Sequence, residues 1–470
     1  MELGWLLVAL ELTWIAGLAV WIVLERRPPN STLAWIFALA FLPALGVPIY
    51  LLFGPRRLAR RRQRYNAALA ARADGAGVTA PPVAVPRDIA RQVRLAVGAS
   101  EAPLLHATSL ELHHDGETAF AAIRAAIRAA RHHVHLEFYI WEEDHLGVEL
   151  RDLLVERARA GIEVRLLVDA VGSHSTPTAF FAPLRAAGGE FEWFHPTGAR
   201  LFAHRFLNFR THRKIVVVDG HTGFTGGMNV SDHQTVGKGG EPPWRDSQVA
   251  LAGPAVAGLQ AVFLENWHYA HRGSPAGAPY FPPCPEPPLA WVQVLSSGPD
   301  REVYPIHELF VSAIAAADLR VWIVTPYFVP DEALVVALRL AAHRGVDVRL
   351  IVPARSDSRV VDAAMRSYYD ELTGAGVRLF EYGPALIHAK TLVVDNELAV
   401  VSTANLDNRS FRLNFEAAVA IHGARFAEEL ALSFARDLAD AREVAADRQC
   451  RLSTGRRLAE ATARLFSPVL

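Results

Sequence analysis

Lysine and cysteine are scarce in this 470-residue chain, and neither sign of charge is in excess. The two cysteines, Cys284 and Cys450, lie too far apart in sequence to indicate a disulfide framework or a cysteine-rich metal site. The formal net charge is −1, so the composition indicates no extended basic surface of the kind that binds nucleic acid. No P-loop pattern occurs, so the sequence does not indicate a nucleotide-driven reaction.

Only three of the 48 lysines and arginines are lysines, and two of these three occupy the same position of a repeated pattern, His-x-Lys-x-x-x-x-Asp. The first copy consists of His212, Lys214 and Asp219, and the second of His388, Lys390 and Asp395. Because arginine is used almost everywhere else, lysine at both positions indicates a need for a compact ammonium group that can press on one phosphate oxygen. One match would be weak, but two in so lysine-poor a chain predict a functional site.

The surroundings of the two copies also match. Each copy continues into an apolar run, 215–218 or 391–394, which predicts a buried strand. Histidine and lysine stand two residues apart, and they share one face if their segment is also a strand. At the same distance after each aspartate, a turn of small residues ends in Asn229 or Asn405. The two histidines, lysines and asparagines converge if two such halves pack face to face.

The duplicated motif resembles that of the phospholipase D superfamily and, more narrowly, of bacterial cardiolipin synthases, over nearly the whole chain. The stretches that carry the resemblance are 212–214, 226–229, 325–331, 405–410 and 413–416. Ser402 departs from it, because glycine is more usual there, and we expect the small serine to preserve the turn. The resemblance implies an α/β fold of two phospholipase D-type sandwich halves packed face to face, preceded by a transmembrane hairpin of two helices.

The order of predicted elements agrees with a duplication. In each half a helix, a strand, a second helix and a second strand follow one another, and residues 161–166 mirror residues 345–350. This alternation predicts α/β halves with largely parallel sheets. The expected segments are a membrane hairpin with a basic flank (1–64), a linker (65–103), the first half (104–272), a Pro-rich connector (273–290) and the second half with C-terminal helices (291–470).

Two apolar stretches near the N-terminus predict membrane spans. Residues 3–24 are interrupted only by Glu11, residues 33–53 carry no charge, and each stretch reaches the ~20 residues needed to cross a bilayer. A cleaved signal peptide is the alternative, but its apolar region is shorter, about 7–15 residues. Six arginines between 56 and 64 predict that the catalytic part lies on the cytoplasmic side of a bacterial inner membrane, and they can also bind anionic headgroups.

The residue types suit phosphodiester chemistry. A neutral histidine is a nucleophile and a protonated one is an acid at physiological pH, so two of them can divide the displacement into two easier steps. Following the resemblance, we assign His212 as the nucleophile and His388 as the general acid and base. The lysines and asparagines would stabilise charge on the phosphoryl oxygens. This scheme requires no metal and no cofactor, and the resemblance implies the same.

Each histidine also needs a partner that fixes its tautomer. The resemblance implies an acid from the opposite half, so we pair His212 with Glu416 and His388 with Asp246. Asp219 and Asp395 belong to the catalytic motif, but each follows a buried strand. We therefore expect them to hold a turn and not to touch phosphate.

The expected activity is phosphatidyl transfer between two phosphatidylglycerol molecules of the membrane, without nucleic acid as a partner. A hydrolase, or a transferase with another donor or acceptor, is an open alternative because the motifs do not determine the acceptor. A membrane-tethered nuclease is a further alternative that fits the net charge less well. Three further segments are each open to two interpretations. His132, His133 and His135 are either strand residues or a metal site, and residues 202–210 are either a core segment or a membrane-facing lip. Residues 424–466 form either packing helices or an interfacial helix.

Overall fold

The computed structural model describes residues 2–24, 29–41, 102–196, 208–271, 280–301, 303–468 and 470, together with positions 90, 93, 94 and 98. Two compact units are distinguished, Met1–Arg57 with Thr197–Asn208, and Leu58–Pro196 with Phe209–Leu470. The arginine cluster at 56–64, the segment 202–207 and most of the expected linker lie outside the described residues.

The first unit contains the helices Glu2–Leu24 and Pro29–Phe41. They pack through Ile22 and Leu39. The second predicted span, 33–53, is described only as far as residue 41. Within the described part of the chain, no helix combines the length and the apolar character that crossing a membrane requires.

The second unit alternates strands and helices. Its strands are β1 Leu105–Ala107, β2 Ser109–His113, β3 His133–Phe138, β4 Glu163–Asp169, β5 Glu190–Phe194, β6 Ile215–Val218, β7 Thr222–Gly226, β8 Gln248–Ala252, β9 Ala290–Ser297, β10 Arg320–Val324, β11 Phe328–Val329, β12 Asp347–Pro353, β13 Arg378–Tyr382, β14 Thr391–Val394, β15 Leu398–Ser402, β16 Leu406–Asp407, β17 Glu416–His422 and β18 Ala441–Glu443. Its described α-helices are Gly116–Ala129, His145–Arg159, Ala182–Ala186, Val256–His271, Pro305–Ala316, Glu332–His343, Arg359–Arg366, Tyr369–Thr373, Asn408–Arg412, Ala424–Ala439, Arg448–Arg451 and Thr454–Arg464.

Two large sheets repeat one strand order. The first runs β2-β8-β7-β6-β3-β4-β5, and the second runs β1-β9-β17-β15-β14-β10-β12-β13-β18, so the second contains the same order with one strand added at each edge. Strand β7 of the first sheet contacts β15 and β17 of the second. The prediction of a duplicated α/β fold is therefore confirmed.

The prediction of largely parallel sheets is wrong. Only β3-β4-β5 and β10-β12-β13 pair in parallel, and the other strand pairs of both large sheets are antiparallel. The reason lies in the motif strands: β6 and β14 return as β7 and β15 after turns of three residues, and so short a connection produces an antiparallel hairpin. The sequence pattern showed the crossover helices of each half but not these hairpins.

Helices cover the sheets because their apolar residues recur every three or four positions. In the helix Gly116–Ala129, Phe120, Ile123 and Ile127 are buried against the first sheet, and each such burial contributes about 1.5–3 kcal/mol. Asp115 begins this helix by accepting a hydrogen bond from the amide of Thr118 at 2.8 Å. The helix Val256–His271 contacts strands of both sheets, which fixes the distance between the halves.

Candidate active site

The motif aspartates hold turns at the far ends of the motif strands. Asp219 and Asp395 have φ values of +54° and +51°, a left-handed conformation that aspartate tolerates better than most residues. The carboxylate of Asp219 accepts hydrogen bonds from the amides of residues 131–133 at 2.8–2.9 Å. Asp395 does the same for residues 318–320. Each aspartate therefore ties the turn after its motif strand to the beginning of β3 or β10.

Each motif histidine lies against a carboxylate of the other half. Nδ1 of His212 is 3.1 Å from Oε2 of Glu416, and Nδ1 of His388 is 2.7 Å from Oδ2 of Asp246. Both carboxylates are fully buried. A carboxylate at Nδ1 holds the hydrogen on that atom and leaves Nε2 of each ring for the substrate.

Backbone hydrogen bonds between the halves position these pairs. The amide of His212 donates to the carbonyl of Phe415 at 2.9 Å, and the amide of His388 donates to the carbonyl of Arg245 at 2.7 Å. Each histidine is thus bonded to the residue that precedes its acid. The guanidinium of Arg245 also forms a bidentate ion pair with Asp437 at 2.7 and 2.8 Å, which anchors the segment before Asp246 to the second half.

The two motif lysines are buried side chains, 0% and 1% exposed. Nζ of Lys214 donates to the carbonyl of His212 at 2.7 Å, and Nζ of Lys390 donates to the carbonyl of His388. Burial and the facing charge of Lys390 lower the pKa of Lys214 to about 7. Burial lowers the pKa of Lys390 to about 8. The two buried ammonium groups repel one another, so the site favours a bound anion.

The same burial keeps the histidines neutral. It lowers the pKa of His212 to about 4, and together with the charge of Lys390 it lowers the pKa of His388. Burial opposes ionisation of Glu416, but its contacts with His212 and Lys214 and the hydrogen bond from Thr403 outweigh this and lower its pKa. An ionised Glu416 beside a neutral His212 ring suits a nucleophile.

The side chains of the two asparagines lie in different settings. Oδ1 of Asn229 accepts a hydrogen bond from the amide of Ile140 at 3.2 Å. Asn405 is 4% exposed, and its Oδ1 has no hydrogen-bond partner among the described residues.

Two aromatic rings beside the histidines were not predicted from the sequence. The ring of Tyr139 stands edge-on to His212, with 4.9 Å between centroids, and Nζ of Lys214 is 5.5 Å from the tyrosine ring. The ring of Trp244 lies 5.2 Å from His388. A signal existed for Trp244, which stands two residues before Asp246. Tyr139 follows β3, the neighbour of the motif strand, and only the pairing of the strands reveals this.

The turn that precedes the asparagine contacts the buried acid differently in the two halves. Asp246 packs directly on Gly227, where an added Cβ would lie 2.1 Å from its Oδ1. At the corresponding place in the second half, the hydroxyl of Thr403 donates to Glu416. Ser402 preserves the second turn, as expected, because its Oγ accepts a hydrogen bond from the amide two residues further on at 2.9 Å.

We expect Gly227→Ala to reduce turnover about 10–100-fold, because the added methyl group displaces the carboxylate that orients His388. Gly455→Ala is the matched control, since nothing lies within 4 Å of its added Cβ. Initial rates and thermal unfolding of both variants are the measurements. A Gly227→Ala protein with normal turnover would contradict the orienting role of Asp246.

Glu416→Gln tests the other pair. The amide keeps the shape of the side chain but removes the charge and can donate to Nδ1, which favours the wrong tautomer of His212. We expect kcat to fall on the order of 10³-fold with little change in KM. Asp246→Asn should give a comparable loss. A Glu416→Gln protein with kcat within about threefold of native would contradict the pairing argument.

The three histidines at the start of β3 form a separate network. Nε2 of His133 lies 3.1 Å from Oε1 of Gln260, Nδ1 of His135 lies 2.9 Å from Nε2 of Gln260, and the rings contact Tyr280. Among the described residues, no group of three or more His, Cys, Asp or Glu side chains is arranged to hold a metal ion.

Comparison with known proteins relates this geometry to a family. The family model described as "Cardiolipin synthase, PLD-like domain" matches residues 123–239 and 310–438, and the one described as "Phospholipase_D-nuclease N-terminal" matches residues 13–55. Cardiolipin synthase A of Pseudomonas aeruginosa is 40% identical over 479 aligned residues, which cover all of this chain and 96% of that protein. Cardiolipin synthase of Geobacillus kaustophilus is 37% identical and covers 96% of this chain and 91% of its own length.

Among solved structures, phosphatidylserine synthase of Haemophilus influenzae shares the fold. It covers 81% of this chain and all of its own length, with a TM-score of 0.62 and 14% sequence identity. The family model matches both halves of the fold, and the two relatives match nearly the whole chain. The chain therefore belongs to the cardiolipin synthase family with phospholipase D-like domains.

Proposed function

We propose that the protein transfers the phosphatidyl group of one phosphatidylglycerol to a hydroxyl of a second, forming cardiolipin and releasing glycerol. The observation that carries the proposal is the pair of buried histidines, each held at Nδ1 by a carboxylate of the other half and followed two residues later by a buried lysine. The printed names of the two relatives support the choice of lipid.

In the first step, Nε2 of His212 attacks phosphorus, the bond from phosphorus to the glycerol oxygen breaks, and His388 gives its proton to that oxygen. The lone pair for attack is available because His212 is neutral. His388 acquires its proton when the anionic phosphodiester binds, since a neighbouring negative charge favours the protonated ring. Lys214 and Lys390 stabilise the phosphoryl oxygens throughout.

In the second step, His388 takes the proton of the acceptor hydroxyl, whose oxygen attacks phosphorus and displaces His212. One phosphodiester replaces another, so the exchange needs no nucleotide. The two pairs are nearly symmetric, so the assignment of His212 as the nucleophile follows the resemblance of the motifs. A substrate whose leaving group needs no proton distinguishes the two roles.

A product assay tests the reaction. Purified protein is mixed with labelled phosphatidylglycerol in detergent micelles, with EDTA and without nucleotide, and the lipids are resolved by mass. Cardiolipin with an equal amount of glycerol is the expected result. Phosphatidic acid as the sole product would show that the protein is a hydrolase and not a transferase. Turnover that EDTA abolishes would refute the metal-free scheme.

The proposal includes attachment to a bacterial inner membrane through two spans, 3–24 and 33–53, with the catalytic halves in the cytoplasm. The length of both apolar stretches, the arginines that follow them and the family match over residues 13–55 support it. Removal of residues 1–54 should weaken recovery of the protein in the membrane fraction while leaving some activity in detergent micelles. A full-length protein recovered in the soluble fraction would refute the two spans.

A further inference from the structure

The C-terminal helix presents apolar side chains to the outside. Leu458 and Leu465 are 67% and 77% exposed, and Phe466, just beyond the helix Thr454–Arg464, is 53% exposed. Because Leu458 and Leu465 stand seven residues apart, they lie two helical turns apart on one face. We call Leu458, Leu465 and Phe466 the C-terminal apolar surface.

The face of this helix that meets the protein carries Glu460 and Ala463, both buried, and the two leucines lie outside that face. Glu460 is 6% exposed and faces the protein, where it forms ion pairs with Arg448 and, at 3.7 Å, with Arg456. Arg464 packs on the ring of Tyr368, with its guanidinium carbon 4.2 Å from the centroid. Polar contacts thus hold the helix to the protein, and its leucines are not needed for that attachment.

Arginines border the C-terminal apolar surface. Between Arg448 and Arg464 the sequence contains five arginines, and four of them form ion pairs: Arg448 and Arg456 with Glu460, Arg451 with Asp447, and Arg464 with Glu371. Arg456 and Arg457 directly precede Leu458, and both are exposed. Apolar side chains bordered by arginines suit an interface of acyl chains and anionic headgroups.

The segment after the helix is bound to the short helix Asn408–Arg412, which begins three residues after Asn405. The side-chain amide of Asn408 donates to the carbonyl of Ser467 at 3.0 Å, and the amide of Arg409 donates to the carbonyl of Leu470 at 2.9 Å. The hydroxyl groups of Tyr368 and Ser467 are 3.0 Å apart. The position of the C-terminal apolar surface is therefore coupled to the segment after Asn405 through the two hydrogen bonds of Asn408 and Arg409.

We propose that the C-terminal apolar surface inserts into the headgroup region of an anionic bilayer and holds the catalytic loop at the depth of its lipid substrates. The inference rests on the proposed function for the identity of the substrate. A bilayer is favoured over a second protein copy because the arginine border complements anionic lipid and would repel an identical border. The C-terminal helix then acts as a second membrane contact, separate from the N-terminal hairpin.

An environment-sensitive fluorophore tests the contact in the full-length protein. It is attached at Leu458→Cys in a background with Cys284→Ser and Cys450→Ser, and the protein is placed in nanodiscs that contain phosphatidylglycerol. The matched control is Leu432→Cys on the helix Ala424–Ala439, which is 58% exposed but bordered on its face by Glu428 and Glu429. We expect blue-shifted emission and quenching by spin-labelled lipid at position 458 and neither effect at position 432.

Activity provides the second readout. A variant with serine at Leu458, Leu465 and Phe466 should lose on the order of tenfold in turnover on bilayers, because less apolar area enters the interface. Turnover on a short-chain phosphatidylglycerol dissolved as monomers should stay unchanged, as should both activities of Leu432→Ser. An equal loss on both substrates would indicate a purely structural role and would overturn the proposal.

Two other fluorescence results would also overturn it: water-like emission at position 458 in anionic nanodiscs, or a blue shift in lipid-free detergent that grows with protein concentration and so reports a second copy. Because fluorescence does not require turnover, lipid contact at position 458 without cardiolipin formation would refute the proposed reaction and leave the bilayer contact standing.

Discussion

His212→Ala and His388→Ala should each reduce transfer between natural lipids at least about 10⁴-fold, because each removes a group that forms or breaks a bond at phosphorus. Both rings are largely enclosed, 7% and 6% exposed, so no other side chain can take their place without rearrangement of the site. The rate of cardiolipin formation from labelled phosphatidylglycerol is the measurement. Appreciable turnover by either variant would contradict the scheme of two histidines.

The two histidines can be told apart by the leaving group. A phosphatidyl ester of p-nitrophenol needs no proton from the protein to depart, so the variant that lacks only the general acid should still release nitrophenol. We expect this release from His388→Ala and not from His212→Ala, with the phosphoryl group trapped on His212. The opposite result would exchange the two roles while keeping the chemistry, since each ring is held by an acid in the same way.

Lys214→Arg should lower kcat about 10²–10³-fold although the charge is retained. The side chain is fully buried, with Nζ 2.7 Å from the carbonyl of His212, and a planar guanidinium is larger and directs its donors differently. Lys238, the third lysine of the chain, is the control: it lies on the surface in an ion pair with Glu142, and Lys238→Arg should leave kcat unchanged. Normal turnover of Lys214→Arg would contradict the claim that the site requires the compact ammonium group of lysine.

Lys214→Met should abolish activity and yet stabilise the substrate-free protein at pH 7, on the order of 1–2 kcal/mol, because it removes a buried charge that faces another lysine. The pKa of Lys214 is lowered from 10.5 to about 7 in the folded protein, so unfolding takes up a proton between these values and stability rises with pH in that window. The advantage of Lys214→Met should therefore shrink from pH 7 to pH 10. Denaturant unfolding across this range measures it, and an advantage that grows with pH would contradict the lowered pKa.

Much of the chemistry could be predicted because it is encoded locally and written twice. In each motif one residue separates histidine from lysine, and the motif leads directly into a buried strand, β6 or β14. The alternation of helices and strands likewise indicated a duplicated α/β fold, which the strand orders confirm. The same alternation predicted parallel pairing too widely, since it did not show that β6 and β14 return as hairpins.

The pairing of each histidine with the acid of the opposite half came from a resemblance and not from local pattern, and the rings of Tyr139 and Trp244 were not predicted at all. These contacts join residues far apart in sequence: Glu416 follows His212 by 204 residues, and Asp246 precedes His388 by 142. Likewise, the leucines of the C-terminal helix point outward because Glu460 and Ala463 are the residues of that helix that pack against the protein.

Periodicity along the chain therefore specified the strands, the helices and the chemistry at each motif. The lowered pKa values, the tautomers and the outward leucines required the packed molecule. They arise from desolvation and from charges brought close together, and both depend on which elements meet in space rather than on their order in the chain.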